Sequence, residues 1–178
     1  MPRPNIRPTG FRLFHPAIER DRATEGQTAL PRESMKLIRG LSHITFIVHD
    51  LDRMEQILTV LLGARKVYDS GDDTFSLSPE RFFIAGQGQH EVWIAVMEGD
   101  QLPTRTYNHI AFRIDDADYD DCLRRVAELG LEMREGRARV AGEGRSIYFY
   151  DHDNHLFELH TGTLDERMSR YAAGTGGH

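Results

Sequence analysis

The sequence predicts an α+β fold built from two copies of one βαβββ unit. Three observations carry that prediction. Ser42-His43-Ile44-Thr45-Phe46 and Asn108-His109-Ile110-Ala111-Phe112 are nearly the same pentapeptide, each inside a run with strand composition. Aligning His43 with His109 also aligns Asp50 with Asp116 and Asp52 with Asp118, so a helix start follows each strand at the same distance. Each helix then stops at a glycine, Gly63 or Gly130, and short strand-like runs follow.

Residues 1–34 stand apart from this pattern. Pro2, Pro4, Pro8, Pro16 and Pro31 are scattered among Arg3, Arg7, Arg12, Arg20, Arg22 and Arg32, with no apolar periodicity and no apolar run of a secretory signal. They predict a mobile extension ahead of a domain spanning 35–171, with Met35 as a second candidate start. The first unit covers about 37–98. Leu41–Val48 reads as a strand, Asp50 as a helix N-cap, and Leu51, Met54, Ile57, Leu58 and Leu61 fall at helical spacing. Strands are expected near Arg65–Tyr68, Thr74–Leu77, Arg81–Ala85 and Glu91–Met97, separated by Gly and Asp turns. Trp93 reads as core.

The second unit covers about 105–162. Asn108–Ile114 reads as a strand and Asp116 as the matching N-cap. Tyr119, Leu123, Val126 and Leu129 give the helical stripe. Strands near Leu131–Arg134, Arg145–Tyr150 and Leu156–His160 complete it. A last helix is expected over 163–171, Leu164 to Tyr171, and a frayed tail over 172–178.

Composition bounds the function. A chain of 178 residues, 39% hydrophobic and 28% charged, is long enough for one soluble domain with a real core. The net charge is -6 and no Lys/Arg stripe occurs, so no nucleic-acid partner is expected. No apolar run reaches the roughly 20 residues of a membrane span, so no membrane partner is expected either. Cys122 is the lone cysteine, which fits a reducing, cytoplasmic setting.

The chemistry concentrates in Tyr148–His160. Alternation places Leu156, Glu158 and His160 on one face of the final strand. A carboxylate among large apolar residues is costly to bury unless it is paired or binds a cation. Two strand imidazoles, His43 and His109, with one strand carboxylate make a divalent metal site with open positions. On spacing alone His160 is a rival to Glu158 as ligand. Nitrogen and oxygen donors of this kind favour zinc or copper over manganese by intrinsic affinity, so they leave the metal open. His152 and His155 fall at the turn and read as solvated.

A paired βαβββ repeat with His opening each copy and Glu closing the second resembles the vicinal oxygen chelate superfamily. There, two such units form a cupped mixed sheet around one divalent metal. The runs Gly142-Glu143-Gly144-Arg145-Ser146-Ile147-Tyr148-Phe149-Tyr150-Asp151, Phe157-Glu158-Leu159-His160 and Ser76-Leu77-Ser78-Pro79-Glu80-Arg81-Phe82-Phe83 sharpen the resemblance. They are similar to the fosfomycin resistance proteins, and among those to the epoxide hydrolases rather than the thiol transferases.

The resemblance implies Mn(II) held by His43, His109 and Glu158, and no organic cofactor. It implies fosfomycin as substrate, opened by water to a vicinal diol phosphonate. Glu80 matches the general base of the hydrolases, although by itself it reads as a turn acid between two strands. Arg167, nine residues after Glu158, matches a phosphonate-binding arginine. Ser146 and Tyr148 match hydroxyls that donate to the same group, and Thr45 shares the face of His43. Tyr107 is a further pocket candidate. Arg145 stands where the transferases have a monovalent-cation loop, and reads as a built-in cation or as an exposed arginine. Ala138 replaces a transferase lysine, whose contact is lost or passes to Arg137 or Arg139. The resemblance also implies a homodimer. The rivals are a thiol transferase using glutathione or another thiol, and a non-catalytic protein that sequesters the antibiotic.

Overall fold

The computed structural model describes Ile38 and residues 40–73, 76–136 and 143–174. The expectations for residues 1–34, Arg137, Ala138 and Arg139 lie outside them. All elements below fall in one compact unit.

Two four-stranded mixed sheets repeat one topology. The first holds β1 (His43–Val48), β2 (Arg65–Asp69), β3 (Glu80–Ala85) and β4 (Val92–Glu98), in the order β1-β4-β3-β2. The second holds β5 (His109–Arg113), β6 (Glu132–Arg134), β7 (Ser146–Tyr150) and β8 (Leu156–His160), in the order β5-β8-β7-β6. In each, the first and last strands pair in parallel and the others antiparallel. The α+β class and the duplicated unit are therefore as the sequence predicts. Ser76–Ser78 form a bend, not the expected strand. Pro79 has no amide proton to give a ladder and restricts the residue before it.

The helices differ in how they start. Asp50 caps α1 (Leu51–Gln56), its Oδ1 accepting from the amides of Asp52 and Arg53 at 3.0 and 3.1 Å. The helix then widens into a π turn over Ile57–Leu61, which sets Ile57, Leu58 and Leu61 together in the core. Gly63 follows at φ +62°, the left-handed geometry that ends a helix at glycine. Asp116 does not cap α2 (Tyr119–Glu128). It opens a 3-10 turn over Asp116–Asp118, and its carboxylate accepts from Arg145 instead. The third helix, α3, runs Leu164–Gly174, three residues beyond expectation. Thr163 and Glu166 form a reciprocal capping box at its start. Ala172 and Ala173 extend it because alanine is the best helix former. Residues 175–178 lie outside the described residues.

One core joins both units. Phe46, Val48, Phe83, Ile94 and Val96 of the first sheet pack with Ile147, Phe149, Phe157 and Leu159 of the second. Met54, Leu58 and Val126 from the helices close it. Phe46 and Phe157 meet at 5.1 Å between ring centres. Asp153, 2% exposed, accepts from the His49 amide at 3.0 Å and lies 2.5 Å from its Nδ1, which ties the units together. Among the described residues no helix is long and apolar enough to cross a membrane.

Candidate active site

Because strand side chains alternate, the residues opposite the core share the other face of each sheet. Register then assigns rows. On the second sheet one row runs Ala111, Glu158, Tyr148, Arg134, and its neighbours run Arg113, His160, Ser146 and His109, Leu156, Tyr150. On the first sheet the rows are Thr45, Ala95, Phe82; His43, Trp93, Ile84; and Ile47, Met97, Glu80. The two units are equivalent, yet Ala95 stands where the second has Glu158, and Glu80 stands where it has Ser146. The candidate residues thus fall into two half-sites. His109, Ser146, Tyr148 and Glu158 belong to one, and His43, Thr45 and Glu80 to the other. Thr45 and His109 nonetheless line one groove of about 430 Å³, with Phe46, Leu102 and Leu156.

The second half-site is built around a carboxylate–imidazole contact. His109 Nδ1 lies 2.8 Å from the Tyr107 carbonyl. A carbonyl only accepts, so Nδ1 carries the proton and Nε2 is bare in the neutral ring. That nitrogen faces Glu158 Oε2 at 2.9 Å. Two lone pairs held this close need a proton or a cation between them. An imidazole nitrogen and a carboxylate oxygen suit a divalent metal, and the second-shell carbonyl on Nδ1 is the usual way a ligating ring is oriented. Among the described residues no group of three His, Cys, Asp or Glu side chains is assembled in one chain. His43 is exposed on the other sheet, 4.5 Å between ring centres from Trp93.

Ser146 Oγ donates to Glu158 Oε1 at 2.5 Å and lies 2.9 Å from His160 Nδ1. That nitrogen is also 3.1 Å from the Arg145 carbonyl, so it carries the ring proton. His160 therefore sits behind Ser146, orienting its hydroxyl, and is turned away from the role of rival ligand. Tyr107 and Tyr148 pack their rings 5.0 and 5.5 Å from His109.

Glu80 is 8% exposed. Its amide donates to Ser70 Oγ at 3.0 Å. Its carboxylate has no hydrogen bond or ion pair among the described residues. The neighbouring Arg81 is taken by Asp52 and Glu55, both at 2.7 Å. Arg167 is half-buried on α3, without an ion pair among the described residues. Arg145 lies over the Tyr119 ring and pairs with Asp116 at 2.9 Å, so its guanidinium is spent on the start of α2. That pairing raises the Arg145 pKa and holds the Asp116 carboxyl below the usual carboxylate range, the hydrogen bond between them being the main cause of both.

Two readings of single residues change. Trp93 is 36% exposed beside His43, on the site face and not in the core. Alternation from Ile94 and Val96, both in the core, was the signal for this. His155 is not solvated. Its Nδ1 meets buried Asp151 at 2.7 Å and its ring lies edge-on to Phe46.

The glyoxalase/bleomycin resistance protein/dioxygenase superfamily model matches residues 40–159. The chain belongs to this superfamily. Within it, Fosfomycin resistance protein FosX of Mesorhizobium japonicum is 59% identical over 138 residues, 78% of this chain and 96% of that one. Metallothiol transferase FosB of Staphylococcus haemolyticus is 33% identical over 139 residues, 76% of this chain and 92% of that one. A crystal structure of a glutamate-to-glutamine variant of FosX from Listeria monocytogenes, complexed with Mn(II) and 1S,2S-dihydroxypropylphosphonic acid, superposes with a TM-score of 0.67. It is 50% identical and covers 76% of this chain and 99% of its own.

Proposed function

We propose that the protein confers fosfomycin resistance as a Mn(II)-dependent hydrolase that opens the epoxide with water to a vicinal diol phosphonate. One observation carries this reading: the chain is 59% identical to a FosX and only 33% to a thiol transferase, over nearly the same span. A neighbouring FosX holds Mn(II) together with the dihydroxypropyl phosphonate that water addition would give. The Glu80 carboxylate, without a partner among the described residues, supports a reaction in which water is deprotonated as it attacks.

His109, Glu158 and His43 hold the metal, and the imidazole–carboxylate donor set fits it. When bound, Mn(II) supplies Lewis-acid stabilisation of the charge that develops on the epoxide oxygen. Glu80 receives the proton of the attacking water. Tyr148 donates to the phosphonate, Ser146 does so once its hydroxyl proton turns from Glu158, Thr45 and Arg167 bind beside them, and Tyr107 walls the pocket. Together they orient the ring for attack. Arg145 holds the segment ahead of Ser146 through Asp116. No organic cofactor takes part.

The protein acts in the cytoplasm as a homodimer. Support for the dimer is the division of the ligands: His109 and Glu158 share one sheet, His43 lies on the other, and a second copy can bring the halves together. Residues 35–171 form the working domain and residues 1–34 are an extension outside the chemistry.

The test is product analysis on fosfomycin with Mn(II), with and without glutathione. Diol formation at a rate indifferent to glutathione is expected. A strict thiol requirement would make the protein a transferase, and binding without product would make it a sequestering protein.

A further inference from the structure

We infer that Arg134 is an anion-binding residue of this site, donating to an oxygen of the substrate's phosphonate. The inference rests on the phosphonate reading above and adds a cation that its candidate residues do not include.

Arg134 ends the short strand β6. It pairs with Tyr148, which pairs with Glu158, so the three share one row on the site face. Its guanidinium carbon stands 4.6 Å over the Tyr107 ring, whose centre is 5.0 Å from that of His109. The cation is therefore held over the aromatic wall beside the His109–Glu158 pair.

Its Nη1 is buried and has no hydrogen-bond partner. No carboxylate pairs with Arg134 among the described residues. Three other arginines of the domain are met by carboxylates. Arg81 reaches Asp52 and Glu55, Arg105 reaches Glu132, and Arg145 reaches Asp116. The other buried orphan guanidinium nitrogen, Arg81 Nε, still has the Asp69 carboxylate at 3.0 Å.

Burying a donor of a charged group without an acceptor is costly. The cost is recovered when a ligand supplies the acceptor. A phosphonate dianion does so well, because the planar fork of arginine can meet two of its oxygens at once. The contact with Tyr107 holds the guanidinium in place while Nη1 still lacks an acceptor. The site face carries the acids Glu158 and Glu80, and Arg134 supplies countercharge where a dianion must settle.

The experiment compares Arg134→Gln and Arg134→Lys with wild type, as Mn(II)-loaded full-length chains. Inorganic phosphate is titrated by calorimetry as the anion probe, and KM and kcat for fosfomycin are measured alongside. Arg134→Gln should weaken phosphate binding and raise KM by about tenfold or more, the scale of one lost charge-assisted hydrogen bond. Mn(II) affinity should not change, and kcat should move less than KM. Arg134→Lys, a point charge without the fork, should fall between the two. Unchanged phosphate affinity in Arg134→Gln overturns the contact, and leaves the hydrolase reading intact if wild type still makes the diol. Phosphate binding that depends on Arg134 in a protein that makes no diol sinks the hydrolase reading and supports the contact. Should Arg134→Gln melt below assay temperature, Arg134→Lys decides: wild-type phosphate affinity there overturns the contact, and weakened affinity supports it.

Discussion

Glu80 shows how one side chain separates two chemistries. It stands in the register position that Ser146 holds in the second unit, on the site face of its sheet. It is nearly buried, and its carboxylate finds no partner among the described residues. Such a group is poorly explained by stability, since a buried carboxylate without partners costs free energy. It is well explained as a base awaiting water. Glu80→Gln keeps the size and removes the basicity. Turnover on fosfomycin should fall by about 100-fold or more, the usual scale of general-base catalysis. Mn(II) and phosphate binding should persist. Diol formation at the wild-type rate in this variant would remove Glu80 from the mechanism.

Among the elements, the two strand–helix junctions diverge from one sequence pattern. Asp50 and Asp116 occupy the same place in the repeat. Asp50 accepts two amide protons of α1, whereas Asp116 reaches across to Arg145 and leaves α2 without a side-chain cap. Asp50 has an arginine beside it too, Arg53 at 3.6 Å one turn into its own helix, but the arginine that engages Asp116 comes from the segment ahead of β7 and draws the carboxylate away from α2. Asp50→Ala should therefore lower stability by about 1 kcal/mol, as loss of an N-cap usually does. Asp116→Ala removes an exposed ion pair, which is typically worth less than that. Denaturant midpoints of the two variants test the ranking. An Asp116→Ala loss equal to or larger than that of Asp50→Ala would show that the Arg145 pairing, and not capping, matters more at these junctions.

For the whole molecule, the division into half-sites has a measurable consequence. If a working site takes His43 from one copy and His109 with Glu158 from another, two inactive variants can rescue each other. His43→Ala and His109→Ala should each be inactive alone and bind Mn(II) weakly. Mixed under conditions that exchange subunits, they form heterodimers with one site broken twice and one site intact. Activity should return towards half of the wild-type value per heterodimer. Mixtures that exchange subunits and stay inactive would place the complete site within one chain. Sedimentation or light scattering under the same conditions reports whether exchange occurred.

The sequence by itself determined the α+β class, the duplication, both helix ends at Gly63 and Gly130, and the alternation that puts Glu158 and His160 on one face. These are local or periodic properties, set by φ preferences, strand pleat and apolar spacing, and they survive without knowledge of neighbours. The motif Ser76–Phe83 also marked Glu80, although nothing in its own residue type distinguishes a base from a turn acid. Only the tertiary structure decided the rest. It paired His109 with Glu158 and gave His160 to Ser146. It sent Arg145 to Asp116, turned Trp93 towards His43, and left Arg134 with a buried donor and no acceptor. Each of these depends on which strands become neighbours and in what register. A long side chain has several partners within reach, and the pairing it takes is a property of the assembled sheet rather than of the residues beside it in the chain.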